Sequence, residues 1–221
     1  MLNIKCFYFN SFQECCSVVW DDSGKAAVID PGCYTPDEIS ALAGFISSKG
    51  LSVEKILLTH THFDHIYGVA ELARKYNVPV LMDPEEKVIL ENEDFFCGMF
   101  GLRVPDTGFT ATDIHDGDRI EVGQNTFEVL STPGHTPGGV CFLCRDARLL
   151  LSGDTLFAGS IGRTDNSWGD YDALMKGIFE KLMVLDGDIT VIPGHGHPTT
   201  IADERMKNPF LQPFNEPYEE D

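Results

Sequence analysis

Thr59-His60-Thr61-His62-Phe63-Asp64-His65 follows directly on the apolar run Lys55-Ile56-Leu57-Leu58, so four side chains with metal-ligand chemistry leave one strand within six residues. Imidazole and carboxylate bind zinc and its first-row neighbours. Residues two apart on an extended segment point the same way, so His60 and His62 can reach one ion, while Asp64 and His65 need a turn to face it.

Three further segments repeat the grammar of apolar run, small-residue turn and ligand. Phe127-Glu128-Val129-Leu130 leads to Pro133-Gly134-His135, Leu149-Leu150-Leu151-Ser152-Gly153 leads to Asp154, and Ile189-Thr190-Val191-Ile192-Pro193-Gly194 leads to His195. Taken singly, His135 and His195 read as loop histidines, Asp64 as a helix N-cap and Asp154 as a turn cap. Taken together, five of the seven histidines and two aspartates fall at four strand ends, which is the pattern of a metal centre.

The rest of the chain supplies strands and helices around these points. Strands are expected at about 3–9, 13–20, 26–30, 54–58, 78–82, 118–122, 126–131, 139–144, 148–152 and 189–192. Thr35-Pro36-Asp37-Glu38 is a capping box with proline at the first helical position; Ile39, Leu42 and Ile46 form the apolar stripe, and Gly50 stops the helix. A second helix is expected from about 65 to 76 with Asp64 as its cap, a third from Asp170 to about 184, and a short one over 200–207. Residues 83–115, rich in Phe and Gly, read as a loop or short helix lying over a site.

Size and charge narrow the function. At 221 residues the chain can bury a substantial core, and it reads as one domain over 1–221 whose segment 210–221 is a loose acidic tail. No run of about 18 apolar residues spans a membrane, and the N-terminus lacks the zones of a signal peptide, so a soluble, cytoplasmic protein is expected. Sixteen basic residues against 35 acidic ones give a formal charge of −19, a field that repels phosphate backbones and argues against a nucleic-acid partner. Seven cysteines, an odd number, point to reduced thiols. Cys141-Phe142-Leu143-Cys144 looks like a C-x-x-C chelate, but residues three apart on a strand face opposite sides, so the pair reads as buried small hydrophobes.

The H-x-H-x-D-H motif, followed by single His, Asp and His residues at long range, resembles the metallo-β-lactamase superfamily over nearly the whole chain. Ser131-Thr132-Pro133-Gly134-His135-Thr136-Pro137-Gly138, Gly153-Asp154-Thr155-Leu156-Phe157, Gly162-Arg163-Thr164-Asp165, Pro193-Gly194-His195-Gly196 and Asn208-Pro209-Phe210 are similar to the short, single-domain glyoxalase II branch. The resemblance implies an α/β fold, the four-layer αββα sandwich. It also implies His60, His62 and His135 on one metal, Asp64, His65 and His195 on a second, and Asp154 bridging both, with zinc as the expected metal and iron or manganese as alternatives. Asp64 and Asp154 are then the catalytic carboxylates, Arg163 and Phe157 the substrate contacts, and Cys33 lies in a loop that runs near the metals.

The expected activity is hydrolysis of a small-molecule thioester, S-acylglutathione or a related thiol ester, by a metal-bridged hydroxide. Metal binding lowers the pKa of water from 15.7 toward roughly 7, and the thiol expelled has a pKa near ~8.5, so no dedicated general acid is required. No Gly-x-Ser-x-Gly elbow competes. Longer glyoxalase II proteins carry a helical C-terminal domain that grips glutathione, so weak glutathione binding is expected here. A mononuclear iron persulfide dioxygenase, which shares the ligand motif, is the alternative reading; a noncatalytic metal-binding module is the second. His115 and His197 are left outside the ligand set. Their alanine variants should retain the full metal complement by elemental analysis, whereas His195→Ala should lose part of it.

Overall fold

The computed structural model describes residues 1–212, apart from the side chains of Phe96, Met99 and Phe100. Six strands form the first sheet: β1 (Asn3–Phe9), β2 (Glu14–Trp20), β3 (Lys25–Ile29), β4 (Ser52–Leu57), β5 (Val80–Met82) and β6 (Ala111–Asp113), hydrogen-bonded in that order. The first three are antiparallel neighbours, and β3 to β6 run parallel. The second sheet contains β7 (Arg119–Val122), β8 (Asn125–Ser131), β9 (Val140–Cys144) and β10 (Leu149–Gly153). A hairpin, β11 (Leu156–Phe157) with β12 (Ser160–Ile161), branches off before β13 (Thr190–Pro193) and β14 (Thr199–Thr200) complete that sheet in the order β14-β13-β10-β9-β8-β7.

Helices carry the parallel crossovers, as parallel neighbours require. Helix α1 (Pro36–Ser48) links β3 to β4; α2 (Phe63–Ile66) and α3 (Val69–Tyr76) link β4 to β5; α4 (Lys87–Leu90) and α5 (Glu93–Phe100) precede β6. Helix α6 (Tyr171–Gly177) continues as a π-helical turn over Ile178–Leu182 on the way to β13, and α7 (Ile201–Lys207) follows β14. The capping box of α1 forms, with the Thr35 side chain accepting from Glu38 N and the Glu38 carboxylate accepting from Thr35 N.

Period-two side-chain alternation divides the apolar residues among three interfaces, and these define four layers. Ala27 and Ile29 of β3 meet Phe142, Cys144, Leu149 and Leu151 between the two sheets. Ala26 and Val28 face the other way, onto Ile39, Leu42 and Ile46 of α1 and Val69 and Leu72 of α3. Cys141, Leu143 and Leu150 point out of the second sheet toward Leu174, Ile178, Leu182 and Ile201. The αββα sandwich is thus built from strands such as β9 and β10 that are buried on both faces. Cys141 and Cys144 lie in different cores and cannot chelate one ion.

The structure differs from the sequence expectation in several places. The helix expected over 65–76 is two helices: His62 is the N-cap residue of α2, Asp64 sits inside that helix, and the chain breaks where Gly68 N donates to Pro31 O at 2.8 Å. Residues 83–115, expected as a loop or short helix, hold a 3-10 turn and two short helices, and the strand β6 was not expected. Cys33 is packed in the core under α1, where burial pushes its thiol pKa up. Among the described residues no helix is long and apolar enough to cross a membrane. The expected acidic tail lies, from residue 213 on, outside the described residues. Phe142, fully buried between the sheets, is a direct probe of this architecture. Phe142→Ala should cost about 3–5 kcal/mol, read as a lower urea midpoint at unchanged m-value.

Candidate metal centre

Strand direction brings the ligands together. β3 and β4 are parallel, and β8, β10 and β13 also share one direction because β9 is antiparallel to both β8 and β10 while β13 is parallel to β10. The C-terminal ends of these strands release Asp30, the 60–65 cluster, His135, Asp154 and His195 at one edge of the sandwich. Close approach of the loops depends on small residues. A Cβ at Gly194 would fall 2.2 Å from Asp154 Oδ1 and 2.8 Å from His65 Cε1.

The seven residues singled out in the sequence gather there. His60, His62 and His135 form one group whose ligand atoms lie within 4.8 Å of one another, and Asp64, His65 and His195 form a second. Asp154 touches both: Oδ2 is 3.5 Å from His135 Nε2 and 3.6 Å from His195 Nε2, and Oδ1 is 3.5 Å from His65 Nε2. Asp64 Oδ2 is 3.3 Å from His195 Nε2, and His65 Nε2 is 3.3 Å from His195 Nε2. A tetrahedral ion with bonds of 2.0–2.1 Å would separate its ligands by about 3.4 Å, so these spacings suit a coordination sphere.

The outer faces of the rings are fixed by other groups. Thr59 Oγ1 donates to Asp30 Oδ2 at 2.5 Å, which leaves the Thr59 hydroxyl oxygen to accept from His60 Nδ1 at 3.1 Å. His65 Nδ1 donates to Asp30 Oδ2 at 3.2 Å, His135 Nδ1 to the Arg163 carbonyl at 2.8 Å, and His195 Nδ1 to the Phe12 carbonyl at 3.0 Å. When neutral, each of these four rings carries its proton on Nδ1 and presents the Nε2 lone pair inward, the arrangement that outer partners enforce in metal sites. His60 Nε2, His135 Nε2 and Asp154 Oδ1 are buried without any hydrogen-bond partner. Set among the other ligand atoms of the cluster, they fit a bound cation.

The electrostatics agree. Burial, then the neighbouring His135, pushes His62 down to about 3, and burial likewise drives His60 well below the usual histidine range. These imidazoles are neutral and their lone pairs free. Burial opposes charge on His65 as well, but Asp154, Asp64 and Asp30 outweigh it and raise its pKa. Burial works against ionising Asp154 and Asp64, yet the facing histidines lower both. The carboxylates are therefore ionised and seek positive charge.

Some residues fell outside the sequence reading. Asp30 ends the apolar strand β3 just as the other ligands end theirs, so the same grammar marks it. Glu14 is fully buried beside the site with neither carboxylate oxygen hydrogen-bonded, and burial holds its pKa well above the usual range. Arg103 lies 4.4 Å over the Tyr34 ring and 5.3 Å over Tyr67, donates to Tyr34 O, and pairs with no carboxylate among the described residues. Phe157 stands edge-on to His195 at 6.3 Å. The Arg163 side chain is exposed and paired with Asp165 at 2.8 Å, while its carbonyl orients His135. His115 and His197 are exposed and outside the cluster. Asp30→Asn should weaken metal retention by roughly 10–100-fold, the usual effect of losing an outer partner, and Asp154→Ala should weaken it more, both read by equilibrium dialysis against zinc.

Comparison with known proteins identifies the family. Residues 12–197 match the model of the metallo-beta-lactamase superfamily. The chain is 37% identical over 216 residues to a hydroxyacylglutathione hydrolase, GloC, of Haemophilus influenzae, covering 95% of this chain and 98% of that one. Among solved structures it is similar to the BLEG-1 B3 metallo-beta-lactamase, with a TM-score of 0.88 and 34% identity over 96% of this chain and 100% of the other. It also matches TTHA1623 in a di-iron-bound form, with a TM-score of 0.84 and 35% identity over 94% and 100%. The chain belongs to the metallo-beta-lactamase superfamily, a family of metal-dependent hydrolases, and within it to the glyoxalase II-like branch.

Proposed function

We propose that the protein is a dinuclear metal-dependent thioester hydrolase acting on S-acylglutathione or a related small thiol ester. His60, His62 and His135 would hold one ion, Asp64, His65 and His195 the other, and Asp154, whose oxygens approach histidines of both groups, would serve both. The observation that carries this reading is the convergence of seven nitrogen and oxygen ligands, three of whose buried ligand atoms have no internal partner. Seven ligands are too many for one tetrahedral ion. A relative named hydroxyacylglutathione hydrolase at 37% identity and a neighbour solved with two irons at 35% support the same reading.

Bound in this site, divalent ions supply Lewis acidity toward a carbonyl and a nucleophilic hydroxide at neutral pH. The chain's own groups then have defined tasks. Asp64, buried and held ionised by His65 and His195, accepts a hydrogen bond from the attacking water and fixes its direction. Asp154 fixes the distance between the two halves through its contacts with His135, His65 and His195. Phe157 walls the exposed side of His195. The departing thiolate is stable near neutral pH, so no side chain has to protonate it in the transition state.

Two cations, Arg163 on the loop that orients His135 and Arg103 over the Tyr67 ring at the end of α2, are the candidates to meet an anionic tail of the thiol. The Arg163–Asp165 pair is solvent-exposed and contributes little by itself, so a substrate carboxylate can displace Asp165. The test is a substrate panel of lactoylglutathione, other thioesters, a β-lactam, a lactone and glutathione persulfide, on protein of measured metal content. The expected result is thioester cleavage by protein carrying two metal equivalents. One iron with persulfide consumption identifies the dioxygenase, and two metals without turnover of any substrate identify a binding module. On the cleaved thioester, Arg163→Met should raise KM several-fold at nearly constant kcat, the signature of a contact made equally in ground and transition states.

A further inference from the structure

We infer that Glu86 is a positioning residue for the three-histidine half of the metal centre, its carboxylate clamping the loop of His60 and His62 to the loop of His135. The inference rests on the proposed reading of those three histidines as ligands of one ion. Glu86 is fully buried, and its carboxylate is hydrogen-bonded to the two loops rather than to a histidine ring. Its Oε2 accepts from Thr61 N at 2.7 Å and from Thr61 Oγ1 at 2.9 Å, and its Oε1 accepts from Gly138 N at 2.9 Å. Thr61 lies between His60 and His62, and Gly138 lies three residues past His135. One carboxylate therefore sets the spacing of two loops that come from different sheets, β4 in the first and β8 in the second.

Local structure delivers this group. Residues Pro84–Glu86 form a 3-10 turn after β5, and Asp83 caps it by accepting from Glu85 N at 2.9 Å. The turn docks against the His135 loop because position 138 has no side chain. A Cβ there would fall 2.8 Å from Glu86 N and 2.9 Å from Glu86 Cγ. Burial pushes the Glu86 pKa up, and the hydrogen-bonding groups of Thr136, Thr61 and Gly138 oppose that shift. A buried carboxyl is a costly way to fill space, since an apolar side chain of similar volume fills it without desolvating charge. What an apolar side chain cannot do is accept hydrogen bonds from main-chain N–H groups on two loops at once. Asp30 has the corresponding place in the other half, where it accepts from Thr59 N, Thr59 Oγ1 and His65 Nδ1. Glu86 differs in acting only through loop geometry.

The test is Glu86→Gln, nearly isosteric, in which an NH2 replaces one acceptor and faces a main-chain N–H. Wild-type protein is first titrated with zinc against a chromophoric chelator, and two equivalents are expected; a single equivalent would remove the dinuclear reading itself. For the variant, one zinc equivalent should weaken by roughly 10–100-fold, the size seen for other outer partners, while the second stays within about twofold. The weakened equivalent should be the one that His62→Ala removes. Metal-free Glu86→Gln should melt close to the metal-free wild type. Equal loosening of both equivalents would make Glu86 a general fold element and overturn the inference, as would no change in either. If Glu86→Gln does not fold, Gly138→Ala displaces the same contact from the opposite side, and its two zinc equivalents are read by the same criteria.

Discussion

Leaving His60 Nε2, His135 Nε2 and Asp154 Oδ1 buried without partners costs about 1–3 kcal/mol for each group, so a fold that creates them needs something to bind there. The constraint propagates outward. The rings of His60, His65, His135 and His195 are aimed inward with Nδ1 already engaged, by Thr59, Asp30, the Arg163 carbonyl and the Phe12 carbonyl. Those partners lie just past the ends of β3, β4 and β12 and just before the start of β2, so the lone pairs can converge only if both sheets are assembled.

The two halves of the site are braced in different ways. Around His65 and His195 the carboxylates Asp30, Asp64 and Asp154 supply an electrostatic field that outweighs burial and favours a cation. Around His60 and His62 burial dominates, the imidazoles are neutral, and positions are set by Thr59 and by the Glu86 clamp. One half is charge-rich and the other is geometry-rich. Asp154 joins them, and its contacts reach histidines of both.

The setting also shapes what can enter. The chain has 35 acidic residues against 16 basic ones, and two arginines stand beside segments that carry ligands, in different states of commitment. Arg163 is held by Asp165, and Arg103 rests on two tyrosine rings with a main-chain carbonyl as its hydrogen-bond partner. The aromatic strip from Tyr34 through Tyr67 and Phe63 to Phe12 connects Arg103 to the residue whose carbonyl orients His195.

Much of this was legible in the chain itself. Alternation of apolar residues marked the buried strands, the Thr35–Glu38 capping box marked α1, and the apolar run, turn and ligand pattern marked all seven residues that gather at the site. These signals are local, because side-chain period and turn chemistry act over a few residues. Local signals failed where long-range packing decides. The break between α2 and α3 follows from Gly68 docking on the Asp30 loop, and β6 exists because β5 offers it a parallel edge. Glu86 bore no mark in the sequence, since its partners, Thr61 and Gly138, lie 25 and 52 residues away. The sequence by itself determined which groups can bind metal and that they stand at strand ends. Only the tertiary structure decided which ring nitrogen faces inward, which carboxylates stand behind the ligands, and how two sheets are pinned together at one edge, because each of those depends on contacts between segments that meet only when both sheets have closed.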